Sequence, residues 1–258
     1  MHVLYFHQYF TTPRGAGGTR SYEFARRLLD RGHQVTMVCG AHKDGDTGLR
    51  GEPTNGVRRG FVDGIEVIEL ALPYSNHDTF LKRAVTFGRF AARSVGVALR
   101  EPKDLVFATS TPLTAAIPGI AARVLGRTAF VFEVRDLWPE LPVAMGVIKN
   151  PVVIKGMEVL EYAAYKAADA CVGLAPGICE GIKRHGLTDE RVSLVPNGCD
   201  LELFAEARAQ RVPIPGVQPG ELVATFTGAH GLANGLLTAI EAAEALQARQ
   251  AQRIRLVF

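Results

Sequence analysis

The amino-acid sequence predicts an α/β fold built around an open parallel sheet. Three observations lead there. Short, continuous apolar runs recur along the chain, as in strands covered on both faces. Helix-patterned segments alternate with them, the signature of βαβ units. Glycine-rich turns stand where strands hand over to helices, at Thr11–Arg20 and Thr225–Gly235.

The strand runs are Met1–Phe6, Gln34–Gly40, Ile65–Leu70, Leu105–Ser110, Ala129–Glu133, Ala170–Ala175, Val192–Pro196, Leu222–Phe226 and Arg255–Phe258. Helical periodicity covers Thr19–Arg31, Thr79–Arg100, Leu113–Leu125, Val152–Ala168, Gly177–His185 and Leu236–Gln250. A length of 258 residues, 47% hydrophobic and 21% charged, suits a soluble globular chain of one large domain or two smaller ones. Its 27 glycines and 14 prolines exclude collagen-like and low-complexity classes. No run of about 18 apolar residues occurs, so no spanning helix is expected. The N-terminus lacks the basic region and cleavage site of a signal peptide. Cys39, Cys171, Cys179 and Cys199 form neither a CxxC pair nor a dense scaffold, which fits free thiols in a cytoplasmic protein. A net charge of +3 gives no argument for a nucleic-acid partner.

One break in composition divides the chain. Ala205–Gly220, AEARAQRVPIPGVQPG, is proline-rich and without apolar period, as in a linker. The expected organisation is a first domain over 1–204, a linker over 205–220 and a further region over 221–258. That last region is too small to bury a doubly wound core. The sequence stops within the run Ile254–Phe258, so the reading is a complete first domain and an incomplete second one.

In open α/β sheets ligands bind beyond the carboxyl ends of the strands. Four such places carry unusual residues. In Thr11–Arg20, Gly17 and Gly18 let backbone approach a ligand, and the helix start favours an anion. The dinucleotide fingerprint fails, because Arg20 stands where its third glycine belongs and no acid ends the second strand. The string EVRDLWPE, Glu133–Glu140, gathers Glu133, Arg135, Asp136, Trp138 and Glu140; its carboxylates suit sugar hydroxyls and its tryptophan an apolar wall. Pairing of Glu133, Arg135 and Asp136 among themselves is the structural alternative. In VPNGCD, Asn197-Gly198 reads as a tight turn and Asp200 as a helix cap over Leu201–Phe204. In TFTGAHGLANG, Gly228, His230, Asn234 and Gly235 precede a helix, a natural seat for phosphate.

The helix over Thr79–Arg100 carries a separate feature. At about 100° per residue, Lys82, Arg89, Arg93 and Arg100 fall within roughly 40° of one another. Phe80, Phe87, Ala91 and Ala98 lie opposite. The stripe reads either as a solvated face or as a surface for anionic lipid headgroups. Asp44-Gly45-Asp46 imitates a metal-binding DxD but has no neighbouring strand, so no metal site is expected. His33 reads as the close of the first helix. Gly-x-Ser-x-Gly and His-Glu-x-x-His are missing, which leaves hydrolase and metalloprotease readings without support.

Four strings in order, HVLYFHQYFTTP…GGTRSYEFARRLLDRGHQVTMV, FEVRDLWPE, VPNGCDLELF and FTGAHGLANGL, resemble the retaining family 4 glycosyltransferases of GT-B fold. The likeness is to the L-fucosamine-transferase-like branch that builds bacterial surface polysaccharides. It implies two Rossmann-like domains facing across a cleft, with the acceptor on the first and a nucleoside diphosphate sugar on the second. By the same resemblance, Gly17 and Gly18 lie near the donor phosphates; for the basic residues the diphosphate loop lacks, either weaker neutral donors serve or the charge comes from elsewhere, with Arg20 the candidate. Arg135 and Asp136 touch the donor sugar, and Asn197, Gly198 and Asp200 match the family's Asn-Gly-x-Asp string. Gly228, His230, Asn234 and Gly235 fall on the diphosphate loop.

The resemblance further implies a metal-independent transfer without cofactor, to a glycan or polyprenyl-linked acceptor; the expected location is the cytoplasm, or through the basic stripe the inner face of the plasma membrane. Two departures stand out. His230 and Asn234 replace an arginine and a lysine common in that loop, and the later Glu-x7-Glu segment has no counterpart. The fragment is therefore expected to bind a nucleotide sugar poorly. Alternatives are a GT-B-fold nucleotide-sugar epimerase and a non-catalytic glycan- or membrane-binding remnant.

Overall fold

The computed structural model describes residues 1–258 except 44, 76, 77, 200, 202–212, 219, 229, 232, 233 and 250–252. Asp44, Asp200, most of the linker and most of the helix expected over Leu201–Phe204 thus lie outside the described residues. The chain divides into two compact units, Met1–Gly198 and Cys199–Phe258.

The first unit is built on eight strands: β1 His2–Phe6, β2 Gln34–His42, β3 Val57–Val62, β4 Ile65–Tyr74, β5 Leu105–Thr109, β6 Ala129–Val134, β7 Ala170–Gly173 and β8 Val192–Leu194. Its helices are α1 Arg20–Asp30, α2 Phe80–Arg100, α3 Ile117–Gly126, α4 Glu140–Ala144, α5 Pro151–Ala167 and α6 Pro176–Lys183. The strand order is β3-β4-β2-β1-β5-β6-β7-β8, and every pair but β3–β4 is parallel. From β1 the chain builds outward through β2 and β4, then returns to the other side of β1 with β5. That reversal opens a crevice beyond the carboxyl ends of β1 and β5.

The apolar runs read as strands because both sheet faces are covered. In β1, Leu4 and Phe6 join one core with Phe90 of α2 and Ala122 of α3. Val3 and Tyr5, one residue out of phase, join a second core with Ala25 of α1 and Met37 of β2. Period-2 alternation places neighbours on opposite faces, so a run without polar gaps is what a doubly covered strand requires.

Three departures from the expected elements have physical reasons. The edge strand β3 was not expected, because Arg58 and Arg59 interrupt its apolar character. On β4, Glu69 and Glu66 neutralise them at 2.5 and 2.7 Å. The hairpin turns on Asp63 and Gly64 at φ 49° and 83°, the two positive values of a type I′ turn. The segment from Leu113 starts as a 3₁₀ turn, Leu113–Ala116, and becomes α-helical at Ile117-Pro118, with proline at a helix start where its missing N–H costs least. At Asn197-Gly198, where a tight turn was expected, Gly198 has no positive φ and the Pro196 carbonyl is taken up by Arg20 at 2.8 Å instead of closing a turn.

The second unit contains β9 Leu222–Thr225, α7 Leu236–Ala248 and β10 Ile254–Val257. Its two strands pair in parallel, Leu222 with Ile254 through Thr225 with Val257. Glu221 and Arg255 bridge them at 2.8 Å. No described residue of this unit is fully buried. Of the four thiols, those of Cys39, Cys171 and Cys179 are buried and that of Cys199 is exposed. Among the described residues no helix is long and apolar enough to cross a membrane.

Candidate functional site

The crevice at the strand reversal contains a cleft of about 330 Å³. Each wall comes from the carboxyl end of a strand. His7, Tyr9 and Thr11 follow β1, and Ala16, Gly17 and Gly18 lead into α1. His42 and Gly45 come from the end of β2, Thr111 follows β5, and Arg135 and Asp136 follow β6.

The glycine loop is held from below. Thr12 donates its amide to Asp46 O at 2.8 Å, and Asp46 donates its own to Thr11 Oγ1 at 3.0 Å. A Cβ on Gly15 would stand 2.1 Å from Thr11 Oγ1 and 2.5 Å from Asp46 N, so this glycine is required by close packing. Gly17 is tighter than Gly18: a Cβ there would meet Thr11 Cγ2 at 3.2 Å, whereas Gly18 faces open space. Thr19, the cap of α1, makes no side-chain cap hydrogen bond. The first-turn amides of the helix are therefore left for an anion, aided by the positive end of its dipole. Asp46 is engaged elsewhere: Arg50 at 2.9 Å and the Gly48 amide hold its carboxyl down to about 2.

Beneath the cleft lies a buried ionic network. Glu133 is fully buried. It accepts from Arg20 Nε at 2.9 Å, Thr109 Oγ1 at 2.5 Å and Arg135 Nε at 3.4 Å. Two cations and a hydroxyl thus compensate a carboxylate that water does not reach, as a buried charge requires. Arg20 continues to Pro196 O at 2.8 Å, Val195 O at 2.7 Å and Asn197 Oδ1 at 3.3 Å. Its guanidinium ties α1 to β6 and to the chain leaving β8. Arg135 keeps a partly exposed guanidinium, its Nη2 donating to Ser21 Oγ at 3.2 Å. Asp136 accepts from Thr111 Oγ1 at 3.1 Å through one oxygen.

The structure therefore brings together Gly17, Gly18, Arg135 and Asp136, with Glu133 and Arg20 directly behind them. The residues of EVRDLWPE separate. Trp138 packs partly buried against the main core and does not line this cleft; its Nε1 has no hydrogen-bond partner among the described residues. Glu140 opens α4, facing a different groove and Arg184 at 3.5 Å. Asn197 does not line the cleft, and Arg20 reaches its Oδ1 at 3.3 Å. In the second unit, the His230 ring lies between Phe226 and Phe258, with centroids at 6.2 and 6.4 Å. The Asn234 amide donates to Gly231 O at 3.0 Å, and Gly235 takes φ 59° as the cap of α7. Gly228 lies close under Phe226, where a Cβ would come within 3.1 Å.

On α2 the buried residues are Thr86, Phe90, Ala91, Ser94 and Ala98, and Lys82, Arg89 and Arg100 are exposed. Arg93 is half-buried, donating to Asn55 O at 3.4 Å, and Lys82 pairs with Asp78 at 2.6 Å. Leu81 and Val85 stand exposed beside the stripe.

His7 was not among the residues expected from sequence. It is buried, with Nδ1 2.7 Å from Ser21 Oγ. Burial, then the Arg135 charge, holds its pKa well below the ordinary histidine range. Its signal was position alone: the first residue past the first strand.

Comparisons with known proteins bear on this geometry. No curated protein matches the sequence. Sucrose-phosphate synthase from Thermosynechococcus elongatus is similar in structure at 12% identity and TM-score 0.52, over 81% of this chain and 96% of that one. HepE from Anabaena, solved with UDP and glucose, is similar at 17% identity and TM-score 0.51, over 100% of this chain and 69% of that one. UDP-GlcNAc 2-epimerase from Neisseria meningitidis, bound to UDP-GlcNAc, is similar at 11% identity and TM-score 0.50, over 99% and 71%. At such identities the likeness is one of fold, a GT-B-like arrangement of Rossmann-like α/β structure. The sequence itself is more specific: residues 15–198 match the model described as the glycosyl transferase 4-like domain. That span takes in Gly17 and Gly18, the Glu133 network, and Arg135 and Asp136 beyond β6, and by it the chain belongs to the glycosyl transferase 4-like family.

Proposed function

We propose that the chain binds a nucleoside diphosphate sugar, in particular a UDP-sugar, and moves its hexosyl group to a hydroxyl of a glycan or polyprenyl-linked acceptor. The observation that carries this reading is the convergence of Gly17, Gly18, Arg135 and Asp136 on one cleft at the sheet's reversal point. Within it, Arg135 and the uncapped start of α1 oppose a leaving diphosphate, and Asp136 accepts a sugar hydroxyl proton. The acceptor oxygen bonds to the anomeric carbon while the bond to the diphosphate breaks. The bonding pair goes to the phosphate oxygen, and the hydroxyl proton follows it on the same face, so configuration is retained. Charge on the departing group is what the site stabilises, with no metal called upon. The four sequence strings support the fucosamine-transferase-like branch and a place in surface polysaccharide synthesis.

The test is release of UDP from UDP-glucose and related sugars with a lipid-linked glycan acceptor. Asp136→Ala is expected to lower the maximal rate at least 10²-fold, in line with loss of a contact made in the transition state. A rate within about twofold of wild type removes Asp136 from the reaction. Release of a free epimer without any acceptor selects an epimerase instead.

We also propose that the stripe Lys82, Arg89, Arg93 and Arg100, with Leu81 and Val85 beside it, meets anionic lipid on the inner membrane face. Vesicles of phosphatidylglycerol and phosphatidylcholine are expected to pellet the wild type. Glutamine at the four basic positions abolishes that, and unchanged pelleting refutes the contact.

A further inference from the structure

We infer that His7 is a ligand-contacting residue of this cleft, a neutral imidazole held by Ser21 so that its Nε2–H is the donor offered to a bound sugar diphosphate. The inference rests on the function proposed above and adds a residue and a proton position to it.

The backbone fixes His7 first. Its amide donates to Val38 O at 3.0 Å, extending the sheet hydrogen bonding one step beyond β1, and its carbonyl accepts from the Phe10 amide at 3.2 Å in the turn that follows. The side chain, 2% exposed, contributes to the same cleft wall as Arg135 and Asp136.

The proton follows from the partners. A guanidinium can only donate, so Arg135 Nη2 uses Ser21 Oγ as its acceptor at 3.2 Å. The Ser21 hydroxyl keeps its own proton, and the nearby ring atom at 2.7 Å is His7 Nδ1. With Nδ1 accepting, the neutral ring carries its hydrogen on Nε2. A second proton would put an N–H against the Ser21 donor and a charge beside Arg135 in a buried site, where burial and Arg135 both oppose it. Protons on His7 are thus set by Ser21, and Ser21 by Arg135, which Glu133 anchors in turn. A neutral donor backed by a fixed cation suits an oxygen of a diphosphate or of the sugar it carries. In this tautomer the basic nitrogen is occupied by Ser21, so the ring serves as a donor and not as a general base.

The experiment has two arms. Long-range ¹⁵N–¹H spectra of the whole chain are expected to show His7 as the Nε2–H tautomer, neutral from pH 8 to pH 5, with the preference lost in Ser21→Ala. An Nδ1–H tautomer or an imidazolium at pH 7 overturns the inference without touching the proposed function. Calorimetry with UDP-glucose and with UDP is the second arm. His7→Phe is expected to weaken UDP-glucose binding about 10-fold or more, while His7→Gln, which restores an N–H at the same reach, recovers most of the loss. A loss shared by UDP places the contact on the diphosphate; a loss confined to UDP-glucose places it on the sugar. If Arg135→Ala loses UDP-glucose and His7→Phe does not, the inference falls and the proposed function stands. If the wild type binds neither compound, the inference falls for this chain, and the proposed function, which already expects weak nucleotide-sugar binding here, is decided by the transfer assay.

Discussion

Asp136 and Glu133 are three residues apart in sequence and do different work. Glu133 is sealed under the cleft by Arg20, Thr109 and Arg135, whereas Asp136 lies at its surface. The string EVRDLWPE showed that acids and a cation gather at a strand end. It did not show that strand pleating turns Glu133 inward, or that Trp138 and Glu140 leave for the core and for another groove. Those outcomes depend on packing, which a single sequence does not display. His7 stayed hidden for the opposite reason: a lone histidine has no pattern, and only the sheet places it beside Arg135. Glu161 on α5 makes a prediction at this scale. Burial raises its pKa to about 7, the Tyr165 hydroxyl at 3.0 Å pulls it down, and Glu140 and Glu158 push it up. Its ordinary value is 4.5, so the folded state holds this proton more tightly than the unfolded one. Stability from Glu161 is fully present below about pH 4.5 and is lost as pH rises through about 7. Glu161→Gln is expected to be more stable than wild type at pH 8 by up to about 3 kcal/mol, with no advantage at pH 4. Urea midpoints at both pH values check it.

At the scale of elements, α1, α2 and α5 were legible because their apolar residues repeat at helical spacing and their ends carry local signals. Asn150 accepts from Val152 N and Val153 N ahead of Pro151, a capped start that the reading from Val152 missed by only one residue. The strand β3 was lost although Asp63-Gly64 announced its hairpin, since two arginines concealed a strand paired through charge. The helix α3 sits on β6 through a contact with no signal in periodicity. Gly119 lies against Phe130, whose ring carbons stand 2.1 to 2.5 Å from where a Cβ would be. Phe130 is fully buried and the ring has nowhere to retreat. Gly119→Ala is expected to destabilise the fold by about 1–3 kcal/mol despite alanine's better helix propensity. Adding Phe130→Leu should recover part of the loss, and a double-mutant cycle of denaturation midpoints measures that coupling.

For the whole molecule, alternation of apolar runs with helices established the class of fold, because a parallel sheet buried on both faces leaves no other pattern. The order of strands was not legible. Nothing local states that β5 returns to the far side of β1, and that return is what creates the cleft. The proline-rich stretch drew attention to a break in the chain, and the compact units divide at Gly198 and Cys199.

The burial of three thiols has a practical consequence. Burial raises Cys39 and brings Cys171 to about 12, so neither offers thiolate to a reagent in the folded state. Cys179 is covered as well, leaving Cys199, first residue of the second unit, to react. Native protein is expected to consume one equivalent of Ellman's reagent and unfolded protein four, counted by absorbance; a second fast equivalent refutes this. Nature has thus left a chemical handle on the first residue of the second unit, where a dye or spin label can be attached to the wild type without engineering.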